Sequence, residues 1–247
     1  MKRYALVTGA SRGIGRAIAI ELPKDGCSIL LNYKSNQAAA EEAKRLIEDV
    51  GSEAELMPFD VSQPDTINVA LDKWFDAHPD EYIDVLVNNA GIVDDEIMLA
   101  MEPEQWHRVI DVNLNGFFYC TRRVIEGMVI NHHGRIINIS SISGQTGFPG
   151  KVNYAAAKSA LIGVTKALAT ELAPKQVTVN AVAPGLTETD ILKQSREYTD
   201  SKLMDINNLP MRRLCKPEEV AYLVSFLCSD KANYISGQII GINGGLL

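Results

Sequence analysis

The sequence predicts an α/β fold, a doubly wound parallel sheet of about seven strands with helices on both faces. Short runs that are apolar almost throughout recur along the chain, which is typical of strands buried on both faces. Helical patterns fill the gaps between them, so strand and helix alternate. Right-handed crossovers then cover both faces of the sheet, and a length of 247 residues suits one such domain.

The predicted elements follow in order along the chain. The strands cover residues 4–8, 28–32, 54–59, 84–88, 135–140, 177–182 and 238–242. The helices cover residues 14–22, 37–50, 64–78, 104–130, 154–172 and 217–227. Pro103 and Pro217 stand at helix starts, where proline costs no hydrogen bond. Pro23 would disrupt a helix interior, so we expect the first helix to end or kink near Leu22.

The chain is expected to form one dinucleotide-binding catalytic domain over residues 1–247. No linker, repeat or low-complexity tract divides it. Residues 186–215 are polar, mixed and weakly periodic. We expect this segment to form short helices and a mobile lid over a substrate.

Composition excludes several classes of function. The formal charge is −7 and no basic stripe is present, so nucleic-acid binding is not expected. No apolar run is long enough for a signal peptide or a membrane span. The four cysteines are scattered without a CxxC motif, which favours reduced thiols and a cytoplasmic location. The four histidines show no metal-ligand spacing, and no metal is expected.

A glycine-rich turn follows the first predicted strand and opens the first helix. It reads TGASRGIG over residues 8–15. Gly9 allows a tight turn, Gly13 lets the backbone approach a pyrophosphate, and Gly15 lets the helix pack against the strand. The free N–H groups of the helix N-terminus attract an anion. This context favours a nucleotide site over a purely structural turn.

Five motifs occur in order along the chain. They are TGASRGIG, NNAG at residues 88–91, Ser141, YAAAK at residues 154–158 and APG at residues 183–185. With this set, and the terminal INGG at 242–245, the chain resembles the short-chain dehydrogenase/reductase family over essentially its whole length. LVTGASRGIGRAIA, NYAAAKSALIGVTKALA and PGLTETD are most similar to the 3-oxoacyl-acyl-carrier-protein reductases of that family. The resemblance implies a Rossmann-like fold and NADPH-dependent reduction of a 3-oxoacyl thioester.

The residues at the end of the second strand indicate which nucleotide binds. Sites selective for NAD place an acidic residue there to bind the ribose 2′-hydroxyl. Here the strand ends with Asn32, Tyr33 and Lys34, and no carboxylate repels a 2′-phosphate. Arg12 and Lys34 could supply positive charge to that phosphate, which predicts NADP(H). The alternative is that both are solvated surface cations.

The helical stretch NYAAAKSAL places Tyr154 and Lys158 one turn apart on one face. By itself such a pair is more simply explained as an amphipathic helix edge. A tyrosine has a pKa near 10, and bringing it near neutrality takes roughly 3 units, about 4 kcal/mol. An ammonium about 4 Å away, at an effective dielectric constant near 20, contributes roughly that much. The resemblance implies that Tyr154 is the general acid and that Lys158 lowers its pKa and holds the nicotinamide ribose.

The resemblance also implies roles for two further catalytic residues. Ser141 would hydrogen-bond the substrate oxygen, although Ser140 and Ser143 are nearby competitors. Asn113 would help to hold a water that feeds protons to Lys158, whereas read alone it is a polar kink within a helix. The cofactor contacts implied in this way are Gly9, Ser11, Arg12, Gly13, Ile14, Gly15, Asn32, Lys34, Asp60, Val61, Asn88, Ala90, Gly91, Tyr154, Lys158, Pro184, Gly185 and Thr187.

The substrate and the partners are less well determined by the sequence. The resemblance implies an acyl carrier protein, which is acidic, and a local basic patch that two arginines serve in the related reductases. This chain has His132 and Lys175 at the matching places, which are weaker or softer cations. A reductase of another ketone or secondary alcohol, or an inactive nucleotide-binding scaffold, remains an alternative. The family resemblance further implies a homotetramer built through long helices and the last strand.

Overall fold

The computed structural model describes residues 2–194 and 206–247, and its centre is one parallel sheet. Seven strands lie in the order β3-β2-β1-β4-β5-β6-β7. They are β1 (Arg3–Val7), β2 (Cys27–Tyr33), β3 (Ala54–Pro58), β4 (Ile83–Asn88), β5 (Gly134–Ile139), β6 (Val177–Pro184) and β7 (Ile239–Ile242). The predicted doubly wound α/β sheet is confirmed.

Helices cover both faces of this sheet. They are α1 (Gly13–Glu21), α2 (Gln37–Asp49), α3 (Pro64–Ala77), α4 (Pro103–Ile110), α5 (Gly116–Ile130), α6 (Ser143–Thr146), α7 (Val152–Leu172), α8 (Asp190–Gln194) and α9 (Pro217–Cys228). Successive residues of β1 enter different cores, since side chains alternate between the faces of a strand. Val7 packs with residues of α1, α2 and α9. Leu6 packs with residues of α3, α5 and α7.

Proline ends the first helix as the sequence predicted. α1 stops at Glu21, and a 3-10 turn over Leu22–Asp25 carries Pro23 at its start. Gly26 then adopts a left-handed conformation with φ 82°. A proline has no N–H to continue the helical ladder, and glycine tolerates this φ without a steric penalty.

The helix predicted over residues 104–130 is interrupted. A π-helical turn, Asp111–Asn115, separates α4 from α5, and the Gly116 N–H bonds to the Asp111 carbonyl. The Asn113 amide donates to the Val109 carbonyl at 2.9 Å and to the Ile92 carbonyl at 2.9 Å. This side chain therefore stabilises the widened turn and attaches it to the segment after β4. Such turns often occur at functional sites.

The predicted lid is described only in part. Its first residues form α8 and its later residues form a 3-10 turn, Ile206–Asn208, while residues 195–205 lie outside the described residues. Thr187 and Cys215 form an isolated parallel bridge. The Glu188 N–H bonds to the Cys215 carbonyl at 3.0 Å, and the Cys215 N–H to the Leu186 carbonyl at 2.9 Å. The two ends of this segment are thus held together beside β6.

The described residues also bear on the expected thiols, membrane spans and metal sites. All four cysteines are free, and burial raises the pKa of both Cys27 and Cys120 to about 12. Residues 2–194 and 206–247 contain no helix of sufficient length and apolar character to cross a membrane. Nor do these residues place three potential metal ligands together.

Candidate active site

The strand order reverses between β1 and β4, and a crevice opens there beyond the carboxyl ends of the strands. It is the mouth of a cavity of about 1020 Å³. Residues from the ends of β1, β2, β4, β5 and β6 line the cavity, together with residues of α4, α7 and α8. Every predicted site residue lines it except Asn88 and Asn113.

The glycine turn between β1 and α1 leaves a backbone cradle at this edge. Gly9 and Gly13 have φ of 63° and 56°, in the left-handed region that favours glycine. A Cβ on Gly15 would lie 2.4 Å from the Gly9 carbonyl oxygen, so only glycine lets the helix start this close to the turn. The Arg12 side chain does not cap α1. A nucleotide pyrophosphate suits the exposed N–H groups of such a turn.

Thr8 and Asn89 hold this turn against the end of β4, and the sequence analysis missed both. The Thr8 hydroxyl oxygen accepts hydrogen bonds from the N–H groups of Asn89 and Ala90, at 2.9 and 3.0 Å. The Asn89 amide donates to the carbonyls of Thr8 and Gly9, at 2.8 and 3.2 Å. Asn88 instead donates to Asn138 in the buried interior. The available signal was the alternation of side chains between the two faces of a strand. Asn88 and Asn89 are neighbours, so their side chains must point in opposite directions.

Asn32 lines the cavity, yet its buried side chain bonds to backbone. Its side-chain oxygen, Oδ1, accepts a hydrogen bond from the Gly9 N–H at 3.0 Å. Its amide nitrogen donates to the carbonyls of Met57 and Phe59, at 3.1 and 3.0 Å. Asn32 therefore ties the glycine turn to the end of β3, and shapes the nucleotide end of the cavity through the backbone.

The two predicted phosphate-binding cations are both paired with carboxylates. Lys34 Nζ lies 2.6 Å from an Asp60 oxygen, and Arg12 lies 3.7 Å from an Asp190 oxygen. Burial raises the pKa of Asp60, but hydrogen bonds from Lys34 and Ser62 outweigh burial and hold that pKa below its ordinary value. Both cations remain more than half exposed at the cavity rim.

Tyr154 and Lys158 project from the first turns of α7 into the cavity. Lys158 Nζ lies 5.5 Å from the centre of the Tyr154 ring and donates to the Ile139 carbonyl at 2.9 Å. Burial lowers the pKa of Lys158 to about 8, because desolvation disfavours its charged form. The structure thus brings the predicted pair together, and because Lys158 is buried its ammonium acts strongly on the neighbouring phenol.

A second lysine also lies close to the Tyr154 ring. Lys151 Nζ lies 5.3 Å from the centre of the Tyr154 ring. It is ion-paired with Asp95 at 2.9 Å, and both side chains are more than nine-tenths buried. The sequence analysis missed this pair, since its members lie 56 residues apart and Lys151 resembles an ordinary polar residue before a helix.

Three serines follow β5, and their contacts differ. Ser140 is buried and donates to the Lys158 carbonyl at 2.8 Å. Ser143 is buried in α6. Ser141 accepts from the Ser143 N–H at 3.1 Å, and accepting leaves its own hydroxyl proton available for donation. Of the three, Ser141 is therefore best suited to bind a substrate oxygen, which agrees with its predicted role.

Asn113 reaches the site from the π-helical turn beneath Gly91. A Cβ on Gly91 would lie 2.6 Å from Asn113 Oδ1 and 3.4 Å from Lys158 Nζ. The Asn113 oxygen is buried and accepts no hydrogen bond from the described residues. Gly91 therefore keeps open the space that separates this acceptor from the lysine. That placement suits the predicted role of Asn113 in delivering protons to Lys158.

The far wall of the cavity comes from the end of β6. Pro184 is its last residue, and the Gly185 N–H bonds to the Ile242 carbonyl at 3.0 Å. A Cβ on Gly185 would lie 2.9 Å from Asn243 Cα, so the chain turns here against the segment after β7. The buried Thr187 follows at the cavity wall. The family resemblance implies that these residues contact the nicotinamide.

The geometry fits a dinucleotide laid across the crevice. Its glycine cradle suits a pyrophosphate, and the buried acid–base pair lies at the opposite end. Residues 9–247 match the family model described as enoyl-(acyl carrier protein) reductase, a model of the short-chain dehydrogenases and reductases. The chain belongs to the short-chain dehydrogenase/reductase family.

Curated relatives in the short-chain dehydrogenase/reductase family are similar over their full length. The 3-oxoacyl-(acyl-carrier-protein) reductase FabG of Aquifex aeolicus is 42% identical over 244 residues, covering 99% of this chain and 97% of the relative. Proteins of the same name from Staphylococcus epidermidis and Staphylococcus aureus are 40% and 39% identical over 246 residues. Those matches cover 100% of this chain, and 99% and 98% of the relatives.

Family membership confirms two predictions. The chain is an oxidoreductase, as the family resemblance implied. It also depends on a nicotinamide cofactor, whose bound form supplies the hydride.

Proposed function

We propose that this chain reduces 3-oxoacyl thioesters to 3-hydroxyacyl thioesters with NADPH, in fatty-acid synthesis. One observation carries the proposal: a buried lysine lies beneath the ring of a tyrosine that faces the same cavity as the glycine cradle. The names of the full-length relatives support the choice of substrate.

The chain's own residues handle the proton and the substrate oxygen. Ser141 donates a hydrogen bond to the carbonyl oxygen and orients it towards Tyr154. The Tyr154 hydroxyl then donates its proton to that oxygen as negative charge develops there. The Lys158 ammonium stabilises the resulting phenolate, more strongly here than in water because the site is buried. A preorganised donor set of this kind lowers the barrier without reorganisation during the reaction.

Reprotonation of the tyrosine is assigned to Lys158 and Asn113. The lysine is buried and its pKa lies near 8, so it can release and regain a proton close to physiological pH. Asn113 Oδ1 and Lys158 Nζ both lie beside the position that a Cβ on Gly91 would occupy. Solvent protons would reach the lysine through this space, along a path that begins at the π-helical turn.

NADP(H), rather than NAD(H), is the proposed cofactor. The cavity residues after β2 are Lys34, Ser35 and Asn36, none of which is acidic. Lys34 and Arg12 would bind the 2′-phosphate. Each first has to leave its carboxylate partner, or bind the phosphate beside it. Because both cations are more than half exposed, that exchange costs little.

Acyl carrier protein is the proposed carrier of the substrate, and the positions of His132 and Lys175 bear on where it would dock. His132 and Lys175 precede β5 and β6, so they lie at the amino edge of the sheet. The cavity is at the carboxyl edge, about one strand length or roughly 20 Å away. A carrier docked at these two residues would not face the cavity of the same chain. A different free ketone is accordingly the alternative substrate.

The chain is proposed to act as a single domain and a homotetramer in the cytoplasm, with a lid over residues 186–215. Exposed apolar side chains on α5 and α7, such as Phe118, Ile130 and Val152, support association through these helices. β7 is an edge strand whose residues are only partly buried. Sedimentation velocity across a range of protein concentrations measures the oligomeric state.

Loss of NADPH absorbance with three kinds of acceptor tests the proposed reaction. We expect rapid oxidation with acetoacetyl thioester and little with crotonyl thioester, whose reduction needs no proton on a ketone oxygen. Turnover of unrelated ketones alone would favour the alternative substrate. Turnover of the crotonyl compound alone would assign the enoyl reaction instead. Nucleotide binding without any turnover would indicate an inactive scaffold.

A further inference from the structure

Two lysines, and not one, surround the ring of Tyr154. The ammonium groups of Lys151 and Lys158 lie 5.3 and 5.5 Å from the ring centre. Lys151 is the N-cap residue immediately before α7, and Lys158 lies one turn beyond the tyrosine. Lys151 is only 3% exposed and lines the cavity. Its charge is therefore poorly screened by solvent at the distance of the ring.

The carboxylate of Asp95 is fixed beside Lys151. Asp95 belongs to the segment after β4, which is fastened to the start of α7 by two further hydrogen bonds. The Glu96 N–H donates to the Gly150 carbonyl at 2.9 Å. The Asn153 amide donates to the Asp94 carbonyl at 2.9 Å. The ion pair is thus held in one place relative to the tyrosine.

Docking of a loop does not by itself call for a buried ion pair. Desolvating two charges is costly, and apolar residues of similar volume often serve equally well or better. A fixed pair of opposite charges close to a titrating phenol, however, acts directly on its ionisation. Its cation favours the phenolate and its anion opposes it.

We propose that Lys151 and Asp95 form a positioning pair that sets the proton affinity of the Tyr154 hydroxyl. Lys151 favours release of the proton to the substrate oxygen, Asp95 opposes that release, and the balance of the two charges sets how readily the hydroxyl gives up its proton. The proposal rests on the proposed role of Tyr154 as proton donor. It adds a second electrostatic control to the one supplied by Lys158.

Other charged groups near the tyrosine are known and stay constant in the test. α7 contributes Lys158. α6 has no charged residue, and Glu96 accepts a hydrogen bond from the neighbouring Ile97 N–H. Arg108 is paired with Asp94. The charged residues that line the cavity from α4 and the π-helical turn are Glu104, His107, Arg108 and Asp111.

Three variants test the pair: Lys151→Met, Asp95→Asn and the double variant. Lys151→Met removes the cation and leaves the anion, so the apparent pKa of Tyr154 should rise by about one pH unit or more. Asp95→Asn leaves the cation uncompensated, and the same pKa should fall by about one pH unit. The double variant should lie close to the unaltered chain. A purely structural pair would not shift the pKa in opposite directions.

Two readouts measure these shifts. The first is the alkaline limb of the pH profile of kcat for carbonyl reduction. The second is the phenolate absorbance titration, with the signal of the Tyr154→Phe variant subtracted to remove the other seven of the eight tyrosines. Lys151→Arg keeps the charge and should leave the pKa unchanged. Lys166→Gln removes an exposed lysine from the same helix and is the matched control.

Shifts in one direction only, or none in either single variant, would overturn the proposal. If Lys151→Met does not fold, Lys151→Gln removes the same charge but keeps a hydrogen-bond donor for Asp95. Failure of the unaltered chain to reduce acetoacetyl thioester would reject the proposed function instead. The absorbance titration needs no substrate, so it tests the pair in either case.

Discussion

The glycine-turn side of the cavity and the Tyr154 side are built in contrasting ways. On the first side the polar side chains of Thr8, Asn32 and Asn89 bond to backbone groups. On the second side charged groups are buried next to the reacting position, as with Lys158 and the pair formed by Lys151 and Asp95. The first arrangement stabilises the fold. The second costs folding free energy in exchange for chemistry.

The largest effect is expected on the Tyr154 side. Tyr154→Phe removes the proton donor but keeps the ring, so kcat should fall by about 10²–10⁴-fold. The nucleotide affinity should stay within about twofold, because the cradle on the other side is untouched. Steady-state kinetics and fluorescence titration with NADPH measure the two quantities. A comparable loss of affinity and rate would mean that Tyr154 is structural and that the two sides are not separable.

On the glycine side the largest effect should be on stability. Asn32→Leu keeps the volume but leaves the Gly9 N–H and the carbonyls of Met57 and Phe59 without this partner. We expect the free energy of unfolding to fall by about 3 kcal/mol, measured by urea denaturation. Asn36→Ala is the matched control, because that exposed asparagine makes a single cap bond to Ala39 and should cost only about 1 kcal/mol.

An unchanged unfolding free energy in Asn32→Leu would contradict the division of the cavity into a scaffold side and a chemical side. It would show that the turn is held by its glycines, Thr8 and Asn89 without Asn32. Loss of stability together with nearly normal kcat at saturating nucleotide is the result that would sharpen the division.

Removing the buried cation Lys158 should raise the free energy of unfolding, whereas Asn32→Leu should lower it. The folded-state pKa of Lys158, about 8, lies below the ordinary value of 10.5. The unfolded chain therefore binds more protons between these values, and stability rises with pH across this interval. Below pH 8 the buried charge costs up to about 3 kcal/mol. Lys158→Met should thus be inactive but more stable than the unaltered chain at pH 7.

The stabilisation should shrink as the pH rises towards 10.5, and above that pH the lysine is neutral in both states. Part of it is offset at every pH by loss of the hydrogen bond to Ile139. Urea denaturation of both proteins at pH 7 and pH 10 measures the difference. An equal difference at the two pH values would mean that desolvation of charge is not the cause.

The contrast also explains what the sequence revealed. The strands were predicted closely because apolar runs are local, and the glycine turn because its spacing is local. Tyr154 and Lys158 lie one helical turn apart, so their placement on one helix face was local, while their roles came from the family resemblance. The pair formed by Lys151 and Asp95 depends on a contact between residues 56 positions apart, which no local pattern contains. Asn89 rather than Asn88 lines the cavity, and local pattern did not separate the two because the direction of each side chain depends on the register of β4.

The break in the long helix shows the same limit. Residues 104–130 have a helical pattern throughout, and pattern alone cannot distinguish a 3.6-residue turn from a widened one. The π-helical turn exists because the Asn113 amide bonds to the Val109 carbonyl and also to Ile92, a residue of another segment. The contact with Val109 is between residues four apart and can be anticipated from sequence. The contact with Ile92 depends on the tertiary fold and cannot.

The smallest expected effect concerns the exposed rim of the glycine side. Lys34→Gln should raise the KM for NADPH by about tenfold and leave the KM for NADH unchanged, since only NADPH carries the 2′-phosphate. Asp60→Asn frees the lysine from its carboxylate partner and should lower the KM for NADPH several-fold. Lys73→Gln, an exposed change on α3, is the control. Equal effects of Lys34→Gln on both nucleotides, or a preference of the unaltered chain for NADH, would reject the assignment of Lys34 and Arg12. A shift confined to NADPH would instead show that even on the scaffold side the charges at the rim select the ligand, while the buried backbone contacts only shape its site.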